Sequence, residues 1–318
     1  MAISYDVMKQ RYALPLEKKI AFTELRIKAW YLHFHGNVYV GYSGGKDSTV
    51  LLDIVKRLYS DVPAVFCDTG LEYPEVRQLA LKHADVVLRP KMNFKQVIEK
   101  YGYPIPSKEQ AQFIREARTT KSEKLRNLRL YGKGDGTNFG HISKRWLPLI
   151  DAPFLVTEQC CQIMKKQPFK QYVRESGRKG INAMMAAESQ LREKKFLKRG
   201  CNDYDGKDPK SSPMAIWTEQ DVLQYIVANN IEIAACYGDI VQANGKYYCT
   251  REDRTGCMFC MFGIQYDGTP NRFQRMQRDY PKQYDYCINK LGIGAVLDYV
   301  GIPYKYQPTL FDDMEGAQ

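Results

Sequence analysis

The 318-residue sequence has no run approaching the roughly 18 apolar residues that a membrane-spanning helix needs. Its opening stretch, Met1 to Lys18, has no short apolar core followed by a small-residue cleavage site. Both absences point away from insertion and export, so a cytoplasmic protein with no membrane partner is expected. Internal repeats and low-complexity tracts are also missing, which excludes a repeat architecture. With 44% hydrophobic and 26% charged residues there is no room for a long disordered region. The nine cysteines are odd in number, and the chain is far too large to depend on disulfides. Reduced thiols, metal ligands or catalytic thiols are the expectation.

What the sequence has in excess is positive charge. The formal net charge is +11, with Lys and Arg clustered from Arg115 to Arg145, from Lys165 to Lys210, and at Arg272, Arg275 and Arg278. Polyanions are the partners such charge would attract; a solvated basic surface is the alternative.

Along the chain, Glu17 to His35 reads as an amphipathic helix, and Val38-Tyr-Val-Gly-Tyr42 has the β-branched content of a buried strand. A loop, Ser43-Gly44-Gly45-Lys46-Asp47-Ser48, follows at once. Val50, Leu51, Ile54, Val55 and Leu58 then have helical spacing, and Pro63 to Cys67 forms a second strand ending in Asp68-Thr69-Gly70. Further strands are expected at Asp85 to Leu88 and Ile181 to Met185. Alternating strands and helices predict an α/β fold with a doubly wound, mostly parallel sheet, whose ligands sit at strand C-terminal ends. The basic stretch of about 94–150, with Gly132, Gly134 and Gly136, reads as a helical insertion with a mobile loop. From Cys236 the composition shifts to Tyr, Arg, Gly and Cys. The expected division is therefore 1–235 for the α/β domain and 236–318 for a Cys-rich region.

A glycine pair between a buried strand and a helix lets backbone approach phosphates, and the helix N-terminus offers N–H groups and partial positive charge. Lys46 adds a cation, Ser43 and Ser48 add hydroxyls, and Asp47 suits a magnesium ion. The common nucleotide loop G-x-x-x-x-G-K-[ST] does not fit, because residue 40 is valine and residue 47 aspartate. Instead the loop resembles, letter for letter, the SGGKDS pyrophosphate loop of the adenine-nucleotide α-hydrolase, or ATP-pyrophosphatase, superfamily. That resemblance implies ATP cleaved between its α- and β-phosphates, with adenylate passing to a substrate oxygen. Asp68 and Thr69 become candidate contacts to adenine or ribose; a simple turn is the competing reading.

Cys160-Cys161 precedes Lys165-Lys166-x-Pro168, and Cys257-Met-Phe-Cys260 follows nearly a hundred residues later. Thiolates at such pairs bind iron–sulfur clusters or zinc. The combination resembles the four-cysteine pattern of assimilatory sulfonucleotide reductases. This implies Cys160, Cys161, Cys257 and Cys260 as ligands of a 4Fe-4S cluster, with structural zinc as alternative and Cys249 as an alternative ligand. Cys67, Cys201, Cys236 and Cys287 read as buried thiols. Glu188-Ser-x-x-Arg192 resembles the same family's E-S-x-x-R segment for nucleotide or phosphate; an ordinary ion pair competes with it. In the segment Ser212 to Ile226, Thr218 is read as a helix cap and Trp217 as packing.

From about Val38 to Phe262 the chain resembles the phosphoadenosine phosphosulfate reductase family. True reductases carry a Glu-Cys-Gly-(Leu or Ile)-His segment near their end, whereas this sequence has no cysteine after Cys287. The intact loop with Lys46 and both serines favours cleavage of ATP itself. The resemblance then implies an ATP-dependent sulfurtransferase acting on DNA or tRNA, using a persulfide from a cysteine desulfurase. Lys165, Lys166, Arg192 and Arg254 are the candidate contacts to phosphate or acidic substrate. The alternatives are a sulfonucleotide reductase of sulfate assimilation and a noncatalytic nucleic-acid-binding factor holding zinc and nucleotide. The oligomeric state is not legible in the sequence.

Overall fold

A computed structural model describes residues 3–133, 139–205 and 208–307. Gly134 and Gly136 of the expected mobile loop, and residues 308–313 of the C-terminal segment, lie outside them. Four separate stretches build two units: 1–90 with 167–256, and 91–166 with 257–318. The sequence places one boundary at 235; the chain instead passes between units near 90, 166 and 256.

The first unit carries every strand of the six-stranded sheet: β1 (Val38–Tyr42), β2 (Ala64–Cys67), β3 (Val86–Leu88), β4 (Lys179–Asn182), β5 (Asn202–Asp203) and β6 (Lys210–Ser211). Their order is β3-β2-β1-β4-β6-β5, parallel except for the β5/β6 pair. The doubly wound α/β fold is thus as expected. Val38, Val40, Ala64 and Phe66 are buried in the core, which explains the β-branched and aromatic run that marks these strands. The expected strand at Ile181 to Met185 is displaced toward the N-terminus. Its last residues leave the sheet because Glu188 turns back to accept the Met185 amide at 3.1 Å.

β1 pairs with β2 on one side and β4 on the other, so the chain reverses its winding direction at β1. The C-terminal end of β1 is the crevice where such sheets bind ligands. The helix Lys46–Leu58 leaves this crevice, and its Val50, Leu51, Ile54 and Val55 pack into the core. Trp217 is fully buried, donating its Nε1–H to Thr23 at 2.9 Å, and Thr218 caps the helix Glu219–Asn229. Both roles match the sequence reading. Beneath that cap, Lys19 of the helix Leu16–His33 forms a buried ion pair with Asp221 at 2.6 Å. The Asp221 oxygen that accepts it also accepts from the Thr218 amide and hydroxyl. A hairpin of β7 (Ile240–Ala243) and β8 (Lys246–Cys249) completes this unit.

The second unit is helical. Asn93, Ser107 and Ser122 cap the helices Phe94–Tyr101, Lys108–Thr119 and Glu123–Tyr131, which make up much of the basic insertion. Arg272–Asp279 and Ile293–Tyr299 add two helices from the C-terminal stretch. Among the described residues no helix is long and apolar enough to cross a membrane.

Candidate nucleotide site and thiol set

Backbone geometry shapes the loop at the end of β1. Gly44 has φ +74°, and a Cβ there would lie 2.4 Å from the Val76 carbonyl oxygen, so no other residue fits without displacing the helix Pro74–His83. Ser48 Oγ donates to the Gly45 carbonyl at 2.9 Å and accepts from the Ser43 amide at 3.2 Å. Ser43 Oγ lies 3.0 Å from Ser48 Oγ. Tyr237 accepts from the Lys46 amide at 3.2 Å and shares a 2.6 Å hydrogen bond with Thr255. The first turn of the helix is therefore held open on one side and braced on the other.

A cavity of about 370 Å³ lies over this loop, lined by Ser43, Gly45, Asp47, Ser48, Asn182, Glu188, Arg192, Glu219, Tyr237, Arg254 and Thr255, together with Met184 and Met185. This size accommodates a small ligand. Asp47 Oδ1 is buried and, among the described residues, has no hydrogen-bond partner, the Lys46 ammonium lying 3.9 Å away. Burial raises the Asp47 pKa, and Lys46 opposes that rise. Arg192 pairs with Glu188, yet burial and the neighbouring Arg254 charge both lower its pKa. Arg254 is exposed and, among the described residues, has no carboxylate partner. Two guanidinium groups and a carboxylate oxygen whose one close cation, Lys46, stands 3.9 Å off therefore meet at one cavity, an arrangement that suits an anion carrying a divalent cation.

Lys46 is only 4% exposed. Its Nζ donates to the Asp253 carbonyl at 2.6 Å and lies 3.1 Å from Glu219 Oε1. The loop cation thus stands beside the cavity in a ready-made ion pair.

Asp68 and Thr69 stand apart from the cavity lining. Arg77 binds both Asp68 oxygens, at 2.8 and 2.7 Å, and holds the carboxyl below its ordinary pKa. Thr69 Oγ1 donates to Glu72 at 2.7 Å. Both residues make their contacts to the segment that follows β2.

The second unit brings Cys160, Cys161, Cys257 and Cys260 together: burial raises the Cys160 pKa, and the charges of the other three raise it further. Lys165, half-buried, opposes that rise, while Lys166 is exposed; both end the π-helical turn Gln162–Lys166. None of the nine cysteines is in a disulfide. Thiols are the right donors for iron or zinc. Among the described residues, however, no three His, Cys, Asp or Glu side chains stand grouped to hold a metal ion. Cys249 belongs to the first unit, at the end of β8, where burial raises its pKa and the Lys46 charge opposes that rise. Cys67, Cys201, Cys236 and Cys287 are buried, as the sequence suggests; burial lifts Cys201 to about 11 and Cys236 to about 12.

Asn182, Glu219, Tyr237 and Thr255 were not singled out by sequence. Thr255 and Glu219 adjoin residues that were, Arg254 and Thr218. Asn182 and Tyr237 carry no local signal.

A model of the phosphoadenosine phosphosulfate reductase domain matches residues 37–134 and 107–252. Two uncharacterized proteins of Methanocaldococcus jannaschii are similar. One is 25% identical over 269 residues, covering 83% of this chain and 43% of the relative. The other is 23% identical over 257 residues, covering 79% and 46%. The chain thus spans a little under half the length of these relatives. Among solved structures, a phosphoadenylyl-sulfate reductase from Candida auris in phosphate complex aligns with TM-score 0.40 and 15% identity, over 77% of this chain and 98% of that one.

Proposed function

Because the chain belongs to the phosphoadenosine phosphosulfate reductase domain family, we propose that it is an ATP-pyrophosphatase that adenylates an acceptor for sulfur transfer to nucleic acid. The observation that carries this reading is that Arg192 and Arg254 line one cavity over the glycine loop, where, among the described residues, Arg254 has no carboxylate ion pair and Asp47 Oδ1 no hydrogen-bond partner. In this reading the loop amides, Ser43 and Ser48 grip the β- and γ-phosphates. Lys46 exchanges Glu219 for a phosphate oxygen. Arg192 and Arg254 balance charge as an acceptor oxygen bonds to the α-phosphorus and the bond to the α–β bridging oxygen breaks. The electron pair leaves with pyrophosphate. A magnesium ion would be held by Asp47 and would neutralise charge on the phosphates.

Cys160, Cys161, Cys257 and Cys260 would hold an iron–sulfur cluster supplying the sulfur-handling chemistry, with a cysteine desulfurase as sulfur source. The cytoplasm is the matching compartment. Anaerobic incubation with ATP, magnesium and DNA or tRNA tests the reading. Pyrophosphate and AMP should appear, and Lys46→Ala should abolish both. Retained turnover in that variant would reject the loop assignment.

A second reading, sulfonucleotide reduction, is favoured by the same arginine pair, which would equally receive the phosphates of a sulfonucleotide. Thioredoxin-dependent reduction of such a substrate, with no pyrophosphate released from ATP, would select it. In a third, noncatalytic reading the thiols hold zinc and the loop merely retains nucleotide; colourless, zinc-containing protein without turnover would select that one.

A further inference from the structure

Residues 118–145 carry eight Lys and Arg and two acidic residues. Two of the cations serve the fold. Arg118 donates to the Phe154 and Ala152 carbonyls, and Arg129 pairs with Glu116 at 2.7 Å while stacking 4.0 Å above the Phe113 ring. The other six, Lys121, Lys124, Arg126, Lys133, Lys144 and Arg145, are exposed, and among the described residues none has a carboxylate partner. Hydrogen bonds from Gln110 to His141 and from Ser143 to Gln110 hold the strip before Lys144 against the helix Lys108–Thr119. The helix Glu123–Tyr131, which has no buried residue, is clamped to that same helix by Arg129. One helix thus presents both cationic segments.

A solvated basic face has no need of bare aromatic rings, yet Tyr131 is 76% and Phe139 69% exposed. Lys133 Nζ stands 4.9 Å from the Phe139 ring centroid. Cations for phosphates interleaved with open rings for bases are the features of a single-stranded nucleic-acid platform.

We infer that the face formed by Lys124, Arg126, Tyr131, Lys133 and Phe139 of the second unit is the docking surface for a single-stranded nucleic acid. The inference deepens the proposed function, resting on nucleic acid as the acceptor, and assigns its recognition to the second unit.

The full chain is titrated with a labelled single-stranded oligonucleotide by fluorescence anisotropy across a range of salt concentrations. Replacing Lys124, Arg126 and Lys133 together by Gln should weaken binding and flatten the salt slope by about 2, at about 0.7 for each phosphate no longer neutralised. The pair Tyr131→Ala and Phe139→Ala should weaken single-strand binding on the order of tenfold or more with the slope unchanged. Wild-type affinity in both variants overturns the inference. So does a ring-insensitive preference for duplex, or polyglutamate binding as tightly as the oligonucleotide. ATP affinity, measured on the same proteins, should equal wild type. Face-dependent oligonucleotide binding without ATP cleavage would sink the proposed function alone, and ATP cleavage with face-independent binding would sink this inference alone.

Discussion

The glycine loop and the thiol set are built by different means. At residues 43–48 the backbone does the selecting: a left-handed Gly44 against the Val76 carbonyl, a hydroxyl lattice of Ser43 and Ser48, and a phenol bracing the Lys46 amide. At Cys160, Cys161, Cys257 and Cys260 four side chains share a neighbourhood without closing on a common centre. A backbone-built receptor exists before its ligand arrives, whereas a thiol-built one is finished by what it binds. The first should fail through strain, and the second through lost occupancy.

The largest effect that tests this contrast belongs to Gly44→Ala. Its Cβ meets a backbone oxygen, so a loss of about 2–4 kcal/mol in stability is expected together with loss of ATP binding. Thermal unfolding and nucleotide titration measure the two, and an alanine variant that melts and binds like wild type would break the contrast. Next comes Cys257→Ser with Cys260→Ser, which should remove the visible absorption of anaerobically purified protein yet leave ATP affinity at its original value. Affinity falling with colour would mean that the two regions are not independent.

Arg254→Ala should weaken ATP binding by about 1–2 kcal/mol, roughly tenfold, without changing the melting temperature. A fall in melting temperature would recast Arg254 as a structural residue. The smallest effect is that of Asp68→Asn. Arg77 depresses the folded pKa of Asp68, so its contribution is present above the unfolded carboxylate pKa of about 3.9 and is lost as pH falls through the lower, folded value. The stability difference between variant and wild type should therefore be complete at neutral pH and close only in the acid range below about pH 4. Weaker ATP binding in this variant would return Asp68 to the ligand contacts.

The centre of the sheet was legible because β1 and β2 are buried on both faces and read as short β-branched runs, and the loop because strand, glycines and helix follow one another directly. Asp68 shows where such reading stops. A carboxylate at a strand end is ambiguous until its partner is known, and Arg77 comes from the next helix, with no motif linking the two. Asn182 and Tyr237 reach the cavity from distant segments for the same reason. The interleaved units were hidden because the composition shift at Cys236 falls inside the first unit, while the crossings near 90, 166 and 256 are set by packing. The two cysteine pairs were legible from their spacing; the place of Cys249 at the end of β8, within reach of the Lys46 charge, was not.

One oxygen of Asp221 fastens Lys19 to the cap of the helix that begins with Glu219, and Glu219 is the resting companion of Lys46. A ligand never meets Lys19, yet a neutral side chain there would loosen the anchor of that companion and alter how readily the loop surrenders its cation. Surveys of variants that score only cavity-facing positions would file such a change under folding, when part of its effect would reach the Lys46–Glu219 pair.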